Sequence, residues 1–230
     1  MNQQALQEQL RSLRLGHFGQ ALEQQQSQVT TYDEMNFEER LGLLAQHEIL
    51  CRQNTKIQCL VRQAQMRLDA HASRLDYRAA RGLRKDKIAT LLSGQYLHYA
   101  HNIIITGATG WGKTYLACAL GQQACEQHHT VKYYRLGQLL DELNIGHADG
   151  SYRQQLAQLP KKKILILDDW GMEKLNARQA NDLLDVMEDR YQNASTITAS
   201  QIPATDWYKL ISNPTVAGAC STDYYTTATA

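Results

Sequence analysis

The chain has 230 residues, 43% of them hydrophobic and 20% charged, with a formal net charge of +1. A chain of this length buries one core of about 130–150 residues and leaves a smaller segment over. No apolar run approaches the roughly eighteen residues of a membrane span, and the Gln-rich start, Met1 to Gln9, lacks the apolar stretch of a secretory signal, so a cytoplasmic protein is expected. The five cysteines (Cys51, Cys59, Cys118, Cys125 and Cys220) are odd in number and have neither C-x-x-C nor zinc-ligand spacing, which argues against a disulfide framework or a metal cluster.

Residues 1–71 read as a helical module. Leu6, Leu10 and Leu13 share one helix, a polar Gln-rich link runs through Tyr32, and a long helix starts at Asn36, where Asn36 and Glu39 have the spacing of a capping box. Ile57, Leu60, Val61, Ala64 and Leu68 continue at helical spacing, a stripe suited to seat on a neighbouring domain or another subunit. Residues 72–95 read as a basic connector. From Arg52 to Lys87 there are ten Lys or Arg (52, 56, 62, 67, 74, 78, 81, 84, 85 and 87) against Asp69, Asp76 and Asp86. That excess is what a surface facing nucleic-acid phosphates carries, and a solvated helix face carries it too.

Residues 96–217 alternate strand and helix, which implies a parallel α/β sheet with right-handed crossovers. Strands are expected at 102–106, 131–134, 164–167 and 196–198, and helices at 113–127, 136–145, 152–159 and 177–192. Cys118 and Cys125, seven apart on the first of these helices, read as packing residues. After Ile103-Ile104-Ile105 comes Gly107-Ala108-Thr109-Gly110-Trp111-Gly112-Lys113-Thr114, a G-x-x-x-x-G-K-T loop. Its glycines let successive N–H groups converge on phosphate at a helix N-terminus; Lys113 is expected to reach the β and γ phosphates of ATP, and Thr114 to ligate Mg²⁺. Ile164-Leu165-Ile166-Leu167 ends in Asp168-Asp169, where an open α/β sheet places ligands. Asp168 is the expected Mg²⁺ partner, through water, and Asp169 the group that orients or deprotonates the attacking water. Tyr133, Tyr134 and Arg135 at the end of the second strand read either as core or as a stacking surface.

Taken in order, residues 107–114, 164–171 and Thr198-Ala199-Ser200-Gln201 resemble the IstB-like ATP-binding proteins, AAA+ transposition helpers of insertion sequences related to the DnaC helicase loader. The resemblance covers roughly residues 4–217. Phe37-Glu38-Glu39-Arg40-Leu41, Leu167-Asp168-Asp169-Trp170-Gly171 and Glu188-Asp189-Arg190-Tyr191 also look like family segments. It implies a P-loop NTPase AAA+ core, an oligomer that acts on duplex DNA with a transposase, ATPase activity, and Gln201 at the sensor position, where it holds the attacking water. A DnaC-like replicative helicase loader and a non-hydrolysing nucleotide-dependent DNA-binding remnant stay open, with a small-molecule kinase behind them.

Beyond Ala217 the family would continue into a helix carrying Asp-Arg-Leu and then a last strand. Residues 218–230 instead form an atypical tail, read as a frameshifted or truncated frame lacking the lid and last strand. Residues after Ala217 then supply no lid arginine, so nucleotide binding is expected to survive better than hydrolysis, with Arg178 and Arg190 as candidates to face a neighbouring subunit.

Overall fold

The computed structural model describes residues 3–77, 84–209 and 224–229. Two compact units divide the chain, Met1–Cys59 and Leu60–Ala230. The division falls inside a long helix, upstream of the 71/72 boundary expected from sequence, because Leu60, Val61 and Ala64 pack into the core of the second unit.

In the first unit, α1 (Gln3–Ser12), α2 (Gly16–Ser27) and α3 (Val29–Tyr32) lead to α4 (Phe37–Ala64). The expected capping box is present: Asn36 Oδ1 accepts from the Glu39 N–H and Glu39 Oε2 from the Asn36 N–H, both at 2.9 Å. Glu48 of α4 is buried and joins this unit, accepting from the Phe18 N–H at 2.7 Å and pairing with Arg52 at 2.6 Å.

The second unit contains α5 (Lys85–Leu92), α6 (Gln95–His98), β1 (Asn102–Thr106), α7 (Lys113–Glu126), β2 (Val131–Arg135), α8 (Leu136–Asp149), α9 (Tyr152–Leu156), β3 (Ile164–Trp170), α10 (Ala177–Arg190), β4 (Ser195–Ser200) and β5 (Tyr224–Thr229). The strands form one parallel sheet in the order β2-β3-β4-β1-β5. Apolar residues alternate between its two faces. Ile103, Ile105, Ile164 and Ile166 pack with α7, while Ile104, Leu165 and Leu167 pack with α8 and α10. A sheet covered on both faces needs such near-continuous apolar strands, and this sequence has them. Cys118 and Cys125 are fully buried on α7, as packing residues should be. Gly121 lets α7 approach closely, since a Cβ there would stand 2.8 Å from Ile166 Cδ1.

Two expectations change. The tail supplies a strand after all: β5 pairs in parallel with β1, Ile103 opposite Thr226 and Thr106 opposite Thr229. Its Tyr-Tyr-Thr-Thr-Ala-Thr sequence is rich in the β-branched and aromatic residues that favour strands, and the edge of β1 offers it a ladder. The expected absence of a lid concerns residues 210–223, outside the described residues. Arg190 does not face outward. It is 1% exposed, and its guanidinium donates to Thr196 Oγ1 and to the carbonyls of Leu159, Lys162 and Ser195. Arg178, by contrast, is exposed.

At the start of α10, Asn176 and Gln179 form a reciprocal capping box that the sequence reading did not identify. Asn176→Ala is expected to cost about 1 kcal/mol, read as a lower urea midpoint at unchanged slope; an unaltered midpoint would show that the cap contributes nothing.

Candidate nucleotide-binding site

The loop between β1 and α7 turns on Gly110 (φ 82°) and Gly112 (φ 88°), left-handed conformations that favour glycine. Gly112 caps α7, so Lys113 and Thr114 occupy its first turn. A cleft of about 280 Å³ opens here, lined by Thr109, Gly110, Gly112, Lys113, Thr114 and Tyr115 from the loop and helix. Asp168, Asp169, Ala199, Gln201 and Leu68 complete the wall. Of the loop residues expected from sequence, Gly107, Ala108 and Trp111 are not part of this lining: Gly107 and Ala108 carry the chain out of β1, and Trp111 is exposed on the loop.

Asp168 lies at the end of β3, 2% exposed and heavily engaged. Its Oδ2 accepts from Thr114 Oγ1 and from the Tyr133 hydroxyl, both at 2.8 Å, and its Oδ1 accepts from the Asp169 N–H at 2.9 Å. Burial pushes the Tyr133 hydroxyl pKa up, as does Asp168, so the phenol keeps its proton and donates it. Of the three residues ending β2, then, Tyr133 is a buried support for Asp168.

Asp169 adopts a left-handed φ of 58° where the β3–β4 register shifts between Leu167 and Trp170. Asp tolerates that conformation better than a β-branched residue, and the irregularity turns its side chain into the cleft wall. Its Oδ2 pairs with Arg135 Nε at 2.7 Å, and Arg67 Nη1 lies 3.6 Å away. Lys113 is 9% exposed; its ammonium donates to the Ala108 carbonyl at 2.8 Å. Burial lowers its pKa, while Asp168 and Asp169 act against that shift. Gln201 accepts from Thr109 Oγ1 at 2.7 Å, and its amide nitrogen lies 3.3 Å from Met172 Sδ. It lines the cleft together with Asp168 and Asp169.

The donor set suits ATP with Mg²⁺. Thr114 and Asp168 offer hard oxygen ligands 2.8 Å apart, and Mg²⁺ is commonly held by one or two carboxylates together with substrate phosphates rather than by an all-protein cage. No group of three or more His, Cys, Asp or Glu that could hold a metal occurs among the described residues. Lys113 can exchange a loop carbonyl for a phosphate oxygen.

Sequence reasoning missed Tyr133, Arg135 and Arg67 as parts of this site. The first two could have been found from strand adjacency: β2 borders β3, and Arg135 stands in register with Asp168. Arg67 carries no such signal, because its neighbours along the chain read only as helix end and basic connector.

A parallel sheet with a phosphate loop after β1 and paired carboxylates at the end of β3 defines a P-loop NTPase core of the AAA+ type. The sequence profile of the IstB-like ATP binding proteins matches residues 8–222. The chain belongs to that family. It is 42% identical over 222 residues to the IS1162 insertion-sequence ATP-binding protein of Pseudomonas fluorescens, covering 96% of each chain. The DnaC helicase loader superposes with a TM-score of 0.55 at 18% identity, over 62% of this chain and 85% of that one. AMPPCP-bound DnaA from Aquifex aeolicus gives 0.60 at 17% identity, over 69% of this chain and 49% of that one. At such identities these two structures speak for the fold alone. No helix among the described residues is long and apolar enough to cross a membrane.

Proposed function

We propose that the chain binds ATP with Mg²⁺ in this cleft, hydrolyses it, and serves as an insertion-sequence transposition helper that assembles on duplex DNA and acts with a transposase. The observation that carries the nucleotide reading is the 2.8 Å contact between Thr114 Oγ1 and Asp168 Oδ2, which joins the phosphate-loop helix to β3. Lys113 neutralises β and γ phosphate charge, and the loop N–H groups hold the phosphates in line. Thr114 and Asp168 would hold Mg²⁺, which would supply charge neutralisation at the phosphates. Asp169 orients the attacking water and accepts its proton, once Arg135 releases the carboxylate. Gln201 fixes the rim of the loop through Thr109. Asp169→Asn should retain ATP affinity within about threefold and lose turnover by 10²-fold or more, a size typical of general-base loss. Equal turnover in the two proteins would remove Asp169 from the mechanism.

DNA engagement rests on the exposed cations. Of the ten in the basic stretch, Arg67 turns to the carboxylates, Arg84 pairs with Asp86, and Arg52 pairs with Glu48. Arg78 and Arg81 lie outside the described residues. Arg62, Arg74, Lys85 and Lys87 are exposed in the second unit. If these four meet phosphates, log K for duplex DNA should fall with log salt at a slope of roughly −3 to −4, and a flat response would contradict the assignment.

A replicative helicase loader is the alternative reading, because it would share every nucleotide motif of the cleft. Binding of a hexameric helicase through residues 1–59, with no preference for transposase or duplex DNA, would select that reading. The non-hydrolysing remnant is favoured by the Arg135–Asp169 pair, which occupies the base.

A further inference from the structure

Three cations, Lys113 of the cleft lining and Arg135 and Arg67 beside it, surround the carboxylates Asp168 and Asp169. Lys113 is directed at the Ala108 carbonyl, and Arg135 makes a direct 2.7 Å bond to Asp169. Arg67 differs. Its Nη1 stands 3.6 Å from Asp169 Oδ2 and 3.9 Å from Asp168 Oδ2, beyond direct hydrogen-bond distance, with the side chain about half exposed. It also acts on the Tyr133 hydroxyl, opposing the upward push of burial and of Asp168. It therefore stands beside the same Asp168 oxygen that Thr114 reaches.

The segment carrying Arg67 is fastened to the phosphate-loop helix. Ala70 and Leu75 are buried in the core that contains α7. The Tyr115 hydroxyl, one residue beyond Thr114, accepts from the His71 N–H at 3.3 Å and donates to the His71 carbonyl at 3.4 Å. Leu68, the next residue after Arg67, forms part of the cleft wall. An arginine on an anchored strap is thus held at the polar end of the cleft, inside the chain.

We infer that Arg67 is a phosphate-contacting residue that this chain supplies to its own nucleotide site, and that it discriminates a nucleoside triphosphate from a diphosphate. This rests on the nucleotide reading of the cleft. A divalent cation at Asp168 repels a guanidinium beside the same oxygen, and the terminal phosphate is the anion best able to receive it. The planar fork of five donors matches phosphate geometry, which a point charge does not. Arg67 is therefore removed from the set of cations expected to face DNA.

Titrating ATP and ADP, each with Mg²⁺, into the full chain separates the possibilities. Arg67→Ala should weaken ATP by about tenfold or more and ADP by less than about threefold, so the ATP-over-ADP preference collapses. Arg67→Lys should fall between, and affinity for duplex DNA should stay at the wild-type value in both variants. Arg67→Ala with an unchanged ATP-to-ADP ratio, or with tighter ATP binding, overturns the inference while loss of binding in Lys113→Ala keeps the nucleotide reading intact. Undiminished ATP binding in Lys113→Ala sinks that reading and the inference with it. Circular-dichroism melts of each variant confirm that a lost ratio is not lost folding.

Discussion

Lys113→Ala should weaken ATP binding by about ten- to a hundredfold and abolish turnover. Its ammonium is nearly buried at the first turn of α7, in a cleft whose other wall holds Asp168 and Asp169. Charge-assisted hydrogen bonds of this kind contribute about 1.5–3 kcal/mol, and each 1.4 kcal/mol is a factor of ten in affinity. The loop would keep its shape, since Gly110 and Gly112 set its turns, so the loss belongs to phosphate binding rather than folding. Affinity within about twofold of wild type would contradict that role.

Arg190→Leu should cost about 3–5 kcal/mol of stability with little direct effect on the cleft. The guanidinium closes two turns at once: it donates to the carbonyls of Leu159 and Lys162 ahead of β3, and to Ser195 and Thr196 at the start of β4. A leucine fills part of the volume but leaves three buried carbonyls without their donor, at about 1–3 kcal/mol each, offset in part by the removed cost of burying a cation. For a chain of this size that corresponds to a melting point lower by roughly 6–20 °C. A loss below about 1 kcal/mol would mean that water replaces the guanidinium.

The fold was legible because parallel strands buried on both faces must be apolar throughout, and the runs around Ile104 and Ile166 are. The phosphate loop was legible because its chemistry is local: eight consecutive residues make the turn, the helix start and the cation. Asp168 and Asp169 were legible through their position after a buried strand. Arg190, a candidate to face a neighbouring subunit, instead turns inward to the carbonyls of Leu159 and Lys162, far along the chain, and of Ser195, which helix sequence alone does not encode. Arg67 was assigned to a charge surface because composition sums charges without direction, and only the folded strap shows which way this one points. The tail departs from the family segment expected after Ala217, yet a strand needs only β-tolerant residues and an open edge beside it.

The cleft is proposed to bind and hydrolyse ATP in the service of DNA. Phosphate release from ATP by the 230-residue chain, with and without duplex DNA and with Lys113→Ala as the blank, tests it most directly. Turnover above the blank that duplex DNA increases is expected; turnover indistinguishable from the blank under both conditions would rule out an ATPase.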